Sequence, residues 1–116
     1  MVKEEREHPF QSRAVQYLRA ALAPIHGWAG AIPGGDRRAT RTPGYIRGTP
    51  DILCVARGIP ALVELKSVKG VVSAEQQGVQ AQLRRAGALV HVARSMEDLE
   101  GIVRTLTARR VAAWPP

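Results

Sequence analysis

Two short apolar segments, residues 51–57 and 61–67, constrain the fold of this chain more than any other feature. Each has the length and apolar content of a short strand, and the Gly-Ile-Pro sequence between them predicts a tight turn. We therefore expect an antiparallel hairpin. Three charged residues interrupt it: Asp51 begins the first strand, and Glu64 and Lys66 lie in the second. Charged groups in a buried strand are costly unless they are paired or bind an ion, which makes these three candidates for a functional site.

The alternation of side chains along a strand predicts how these charges are arranged. Glu64 and Lys66 share one face of the second strand. If residues 58–59 form the loop, counting outward places Asp51 opposite Lys66 and diagonal to Glu64. Side chains in such positions have Cβ atoms roughly 4.5–8 Å apart, so the three polar groups converge. The opposite, core-facing side of the hairpin would consist of Ile52, Cys54, Val63 and Leu65.

This convergence suggests a metal site. Two nearby carboxylates repel each other unless a cation or a proton lies between them. Mg²⁺ suits the position because it binds a few carboxylates together with water and phosphate oxygens. A lysine beside the ion can orient a water molecule that attacks phosphorus. The plain alternative is that Asp51 only begins a strand and that Glu64 and Lys66 form a solvated edge pair worth about 0–1 kcal/mol.

The rest of the sequence predicts helices and strands around this hairpin. We expect a helix over 9–23, beginning at Pro9, then a weak strand within 24–32 and a loop over 33–48. Ser73 and Gln76 predict a capping box for a helix over 74–86, which a strand over 88–94 and a helix from Ser95 follow. The prediction is a single α/β domain over 1–116, in the order αβββαβα, with a mixed sheet flanked by helices. Residues 1–6 and 110–116 are expected to be flexible tails.

Charge and composition indicate the partner and the compartment. The net charge of +7 favours a polyanion, with nucleic acid the first candidate and an acidic membrane surface the second. No apolar stretch reaches the ~18–20 residues of a membrane span, and the N-terminal sequence does not read as a signal peptide. Cys54 is the single cysteine, and its apolar surroundings favour a packed thiol. We therefore expect a cytoplasmic protein of a bacterial or phage-infected cell.

Several motifs in sequence order resemble the VRR-NUC family of virus-type replication-repair nucleases, within the PD-(D/E)XK nucleases. Pro50-Asp51 followed by Glu64-Leu65-Lys66 matches the central motif. The flanking matches cover nearly the whole chain, from about residue 7 to about residue 105; they are Arg47-Gly48-Thr49 before the motif, and Ser73-Ala74-Glu75-Gln76, Arg85-Ala86-Gly87 and Val92-Ala93-Arg94-Ser95 after it.

The resemblance implies a restriction-endonuclease-like fold and a small Mg²⁺- or Mn²⁺-dependent DNA endonuclease of the Holliday-junction-resolvase type. Asp51, Glu64 and the backbone carbonyl of Leu65 would bind the metal, Lys66 would be the catalytic lysine, and Gln76 would support the site or contact DNA. The family also places a glutamate on the first helix, a few residues before a glutamine. Here Glu7, ahead of Gln11, is the best match, although His8 and Pro9 intervene; Glu4 and Glu5 compete for the role.

The expected substrate is DNA, with branched forms such as junctions or flaps preferred and a homodimer engaging them. Arginines in the loop before Asp51 are candidates for phosphate contacts, or alternatively solvated loop charges; they are Arg37, Arg38, Arg41 and Arg47. Two other functions are compatible with the motifs. One is a nucleic-acid-binding module that keeps the fold without catalysis, and the other is a restriction-type, sequence-specific nuclease.

Overall fold

The computed structural model describes the backbone of residues 3–33 and 43–109 and the side chains of 9–33 and 43–109. The predicted order αβββαβα is confirmed. The elements are α1 (Lys3–Leu22), β1 (Trp28–Ala31), β2 (Ile52–Ala56), β3 (Ile59–Leu65), α2 (Ala74–Arg85), β4 (Leu89–Ala93) and α3 (Met96–Ala108), with a short 3₁₀ turn at Ala23–Ile25 after α1. The predicted tail over 110–116 lies outside the described residues.

The four strands form one mixed sheet in the order β1-β2-β3-β4. β1 pairs with β2 and β2 with β3 in antiparallel fashion, whereas β3 and β4 are parallel. The parallel pair is the one expected from the strand–helix–strand unit that contains α2. β3 is therefore flanked on both sides, and its second half is buried on both faces.

The hairpin turn differs from the prediction. Ala56 pairs with Ile59, so the loop residues are Arg57 and Gly58 rather than Gly58 and Ile59. Both have positive φ, 54° and 76°, as a type I′ hairpin turn requires. The observed register is thus offset by two residues from the predicted one. The pairing of Ile52 with Val63 places Asp51 beside Glu64 rather than opposite Lys66. Because side chains alternate with a period of two, this even offset leaves every side chain on its predicted face.

Helices α1 and α3 pack together on one face of the sheet and form the hydrophobic core with it. The apolar hairpin residues predicted to face the core do so: Ile52, Cys54, Val63 and Leu65 are all buried. Helix α1 begins at Lys3, six residues before the predicted start, so Pro9 lies inside the helix although it lacks the N–H of a helical hydrogen bond. None of the helices in the described ranges could cross a membrane.

Helix α2 lies on the other face, beside β3 and β4. Its capping box is formed as predicted: the N–H of Gln76 donates to Oγ of Ser73 (3.1 Å), and the N–H of Ser73 donates to Oε1 of Gln76 (2.9 Å). Helix α2 therefore begins at a fixed place next to the polar face of the hairpin, with the side chain of Gln76 locked by its own helix terminus.

Arginines occupy main-chain carbonyls on both edge strands. Nε of Arg19 donates to the carbonyl of Ala29 in β1 (3.0 Å), and Nη2 of Arg84 donates to the carbonyl of Val90 in β4 (3.1 Å). Free edge carbonyls would otherwise offer pairing sites to a strand of another chain. Both edges of the sheet are thus partly protected against edge-to-edge association.

Candidate active site

Asp51 is held at the end of the sheet by three main-chain interactions. Its N–H donates to the carbonyl of Val63 (3.0 Å), and its own carbonyl accepts from the N–H of Ile32 (2.7 Å). Its side-chain Oδ2 accepts from the N–H of Leu65 (2.8 Å). The carboxylate is therefore oriented by the strand that leads to the other two charged residues.

Glu64, in β3, and Lys66, the first residue after β3, are both buried. Glu64 is 3% exposed, and Nζ of Lys66 lies 4.0 Å from its Oε2. The N–H of Lys66 donates to the carbonyl of Ala93 (3.0 Å), so the backbone that carries the lysine is tied to β4. A buried pair of opposite charges is more than a solvated edge pair, because its water has been removed and neither side chain moves freely. We call Asp51, Glu64 and Lys66 the acid–lysine cluster.

Gln76 joins helix α2 to this cluster. Its Nε2 donates to Oε2 of Glu64 (3.2 Å), while its Oε1 accepts from the N–H of Ser73 (2.9 Å). The amide is thereby used at both ends: the oxygen caps the helix, and the nitrogen orients the carboxylate. The side chain that sequence reasoning linked to the family glutamine does contact the cluster.

The loop before Asp51 packs against the first turn of α2. Gly48 has φ of +90°, and a Cβ there would lie 2.7 Å from the carbonyl oxygen of Glu75, so no larger residue fits without a shift. This close approach carries Arg47 to the start of α2, where its Nε lies 3.8 Å from Oε2 of Glu75 in an exposed ion pair. Arg47 is therefore near the cluster and accessible to a ligand.

Other residues predicted for the site lie outside the part of the chain whose side chains are described. Glu7 is in the first turns of α1, as are its competitors Glu4 and Glu5, but only their backbone is described. Arg37, Arg38 and Arg41 fall in the range 34–42, between the two described ranges. Their assignment stays a prediction.

The donor set of the cluster fits a hard divalent cation. Carboxylate oxygens from Asp51 and Glu64 stand on neighbouring strands, and the carbonyl of Leu65 lies between Glu64 and Lys66 in the chain. Such oxygen ligands are those that Mg²⁺ and Mn²⁺ accept. In the side chains described, no group of three or more His, Cys, Asp or Glu comes together, so a third carboxylate would come from elsewhere.

Two polar side chains have no role predicted from the sequence, and only one of them, Arg94, makes contacts beside the cluster. Nη1 of Arg94, which follows β4, donates to the carbonyls of Ser67 (2.8 Å) and Gly70 (2.5 Å) in the segment after Lys66. Gln80 is one helical turn beyond Gln76 on the same side of α2 and is 5% exposed, yet its Nε2 has no hydrogen-bond partner among the described residues. An arginine directly after a strand was visible in the sequence, but its target carbonyls depend on the tertiary fold.

Among the described residues, two titratable groups with a shifted pKa lie away from the cluster. Cys54 is fully buried, and burial raises the pKa of its thiol from 9.0 to about 11, as expected of a packed thiol. His91 is half-buried on the core face of β4; burial, and then the charges of Arg84 and Arg109, lower its pKa below 6.5. The thiol of Cys54 therefore stays protonated at neutral pH, and His91 favours the neutral imidazole.

Comparison with known proteins supports the fold. The chain is similar to a solved structure described as "VRR_NUC domain", with a TM-score of 0.61 and 21% identity over 81% of this chain and 94% of that one. No family model matches the sequence, and no curated protein does. The predicted nuclease-type fold is confirmed: the chain has the fold of a VRR_NUC domain.

Proposed function

We propose that this protein is a metal-dependent endonuclease that hydrolyses phosphodiester bonds in DNA. One observation carries the proposal: at one end of a VRR_NUC-type sheet, Asp51 is fixed on the N–H of Leu65 (2.8 Å) while Glu64 and Lys66, on either side of Leu65, form a buried ion pair (4.0 Å). A purely structural role would not require two carboxylates and a lysine at the end of one hairpin in a chain of net charge +7.

The carboxylates of Asp51 and Glu64, the carbonyl of Leu65 and the side chain of Glu7 would hold Mg²⁺ or Mn²⁺. The bound ion would supply Lewis-acid stabilisation of the phosphate and a more acidic water. Other groups of the protein would offset the repulsion between the carboxylates of Asp51 and Glu64 when no ion is bound. The N–H of Leu65 stabilises the charge of Asp51, and Lys66 and Gln76 stabilise that of Glu64.

Lys66 is the group we assign to the reacting atoms. Its ammonium is largely withdrawn from solvent and is held beside Glu64, so it can donate a hydrogen bond to a phosphate oxygen or to the attacking water. Gln76 acts through Glu64 and is a positioning residue. Because its other end caps α2, it would hold the carboxylate at a constant distance from the helix.

DNA would approach across the loop that precedes Asp51. Arg47 lies at the start of α2, exposed, and would bind the phosphate backbone together with Arg37, Arg38 and Arg41. We propose branched DNA, such as junctions or flaps, as the substrate and a homodimer as the active form. Since both sheet edges carry an arginine on a main-chain carbonyl, the dimer contact would use helices or loops. A monomeric mass at micromolar concentration, by light scattering, would contradict the dimer.

The activity can be tested with three DNA substrates: a four-way junction, a flap and a plain duplex. Each is incubated with the protein and Mg²⁺, Mn²⁺ or EDTA. We expect metal-dependent cutting that is faster on the branched substrates and abolished by EDTA, and we expect Lys66→Ala to lose it. A parent protein that cuts none of the substrates with either metal, or a Lys66→Ala variant as fast as the parent, would overturn the proposal.

The same experiment separates the two other candidate functions. A binding module without catalysis would shift all three substrates in a gel but cut none. A restriction-type nuclease would cut plain duplex at one sequence. The intact cluster weighs against the first. The restriction-type function is disfavoured because the described residues form only the sheet, its three helices and a short 3₁₀ turn, with no additional helix or strand that could read bases in a groove.

A further inference from the structure

Apolar side chains are unusually exposed in the segment that follows Lys66. Val68 is 81% exposed and Val71 is 78% exposed, and they are separated by Lys69 and Gly70. Among the described residues, five large apolar side chains are exposed, and these two valines are among them. Another of the five, Ile46, lies in the loop that packs on the first turn of α2. Exposed apolar groups are thus concentrated in the two loops that flank the acid–lysine cluster, which suggests a contact surface.

The segment is held in a defined shape. The N–H of Gly70 donates to the carbonyl of Ser67 (3.0 Å), which closes a β-turn with Val68 and Lys69 at its tip. Nη1 of Arg94 binds the carbonyls of both Ser67 and Gly70, the two ends of this turn. A charged donor on two carbonyls fixes the turn to the end of β4. The valine at its tip is therefore presented on a rigid support.

The turn also stands directly beside the cluster. Gly70 is buried, and a Cβ added to it would lie 3.4 Å from Cδ of Lys66. The turn is therefore packed next to the side chain of Lys66. Lys69, at the tip, adds a positive charge to the same surface. Exposed valines with one lysine beside them at the tip and another before the turn match the faces of nucleic-acid bases next to phosphates better than they match an apolar protein surface.

We propose that residues 67–71 form an apolar wedge, in which Val68 and Val71 separate a base at a branch point from its remaining stacked neighbour while Lys69 contacts the adjacent phosphate. The inference rests on the proposed nuclease function and gives it a source of selectivity. In plain duplex, bases are stacked on both sides, and inserting an apolar side chain requires unstacking them. At a branch point the stack is already interrupted on one side, so a side chain that enters there has only the remaining stacked face to separate, which requires less energy.

The test uses a flap substrate with 2-aminopurine, whose fluorescence rises on unstacking, at the branch point. Binding is measured with Ca²⁺ in place of Mg²⁺, so that no cutting is needed for the signal. The variant is Val68→Ser combined with Val71→Ser, and the matched control is Val55→Ser, an exposed valine on β2 near the hairpin turn, away from the cluster. All three sites are exposed, and melting curves verify that the variants fold.

We expect the parent and Val55→Ser to raise the fluorescence on binding. The double variant should bind through its positive charges but lose the rise, and its preference for flap over duplex in Mg²⁺ should fall by about tenfold or more. A double variant that keeps both the rise and the preference would overturn the wedge, as would a parent that cuts flaps without any rise. A parent that raises the fluorescence but cuts nothing would support the wedge and contradict the nuclease.

Discussion

The carboxylate of Asp51 accepts a hydrogen bond from the N–H of Leu65 at 2.8 Å, across the hairpin and next to Glu64. The donor is a main-chain N–H of β3, so the orientation of the Asp51 carboxylate depends directly on the backbone between Glu64 and Lys66. The position of Asp51 is therefore coupled to the register of the hairpin. Because an amide oxygen can accept the same hydrogen bond, the charge of this side chain can be removed while the hydrogen bond is kept.

Replacing Asp51 by asparagine separates charge from structure. The amide oxygen of Asn can still accept from the N–H of Leu65, so we expect the melting temperature to change little. The negative charge that would bind the metal is lost, and we expect the cutting rate to fall by about 100-fold or more. The rate on flap DNA in Mg²⁺ and the thermal melting curve are the two measurements.

Asp98→Asn is the matched control. Oδ2 of Asp98 also accepts from a main-chain N–H at 2.8 Å, that of Arg94, but it lies at the start of α3. If Asp98→Asn lowers the rate as much as Asp51→Asn does, loss of a carboxylate at the cluster is not the cause.

The sequence was sufficient to predict which face of the hairpin is polar, but not the turn. Alternation of side chains in β2 and β3 placed Asp51, Glu64 and Lys66 on one face, and the structure has them there. The Gly-Ile-Pro sequence predicts a turn at 58–59, whereas the turn forms at Arg57-Gly58, because a type I′ turn needs positive φ at both loop residues and commonly has Gly as the second. Pro60 could be accommodated in β3 because it lies near the strand's beginning, before the first pair with β4.

Contacts between distant elements were beyond sequence reasoning. The capping box predicted the beginning of α2 because Ser73 and Gln76 are three residues apart. That the same glutamine reaches Glu64, or that Arg94 binds the turn after Lys66, depends on how α2 and β4 lie against β3. No local sequence pattern predicts these two contacts, because they form only when the helix and the strands pack together.

Gln76 has two roles that can be separated by comparing two alanine variants. Gln76→Ala removes both the bond to the N–H of Ser73 and the bond to Glu64, whereas Ser73→Ala removes only a capping bond. We expect each to lower the free energy of unfolding by about 1 kcal/mol. We expect only Gln76→Ala to lower the cutting rate, by about 10- to 100-fold, because Glu64 loses a donor. Equal rates for the two variants would show that the contact with Glu64 does not matter for activity.

Gln80 should limit the stability of the protein. Its Nε2 is buried with no hydrogen-bond partner among the described residues, and such a donor costs about 1–3 kcal/mol. Gln80→Leu removes the donor at similar volume, so we expect the free energy of unfolding in urea to rise by about 1 kcal/mol. The control is Gln82→Leu, at an exposed position of α2, for which a change within about 0.5 kcal/mol is expected. A loss of stability in Gln80→Leu would mean that the amide has a partner in solution.

Because burial raises the pKa of the Cys54 thiol, we expect the protein to lose stability at alkaline pH. Its pKa is about 11 in the folded protein because of burial, against 9.0 for an ordinary cysteine, so the unfolded chain releases its proton at lower pH. The contribution is fully present below pH 9 and is lost as the pH rises toward 11, by roughly 2–3 kcal/mol in total. The measurement is the free energy of unfolding between pH 8 and 11, in the parent and in Cys54→Ala. Cavity formation lowers the stability of the variant at every pH, so only the difference in slope reports the thiol. Equal slopes above pH 9 would mean that solvent reaches the thiol in the folded state, and the native protein would then also react with a thiol reagent at pH 8.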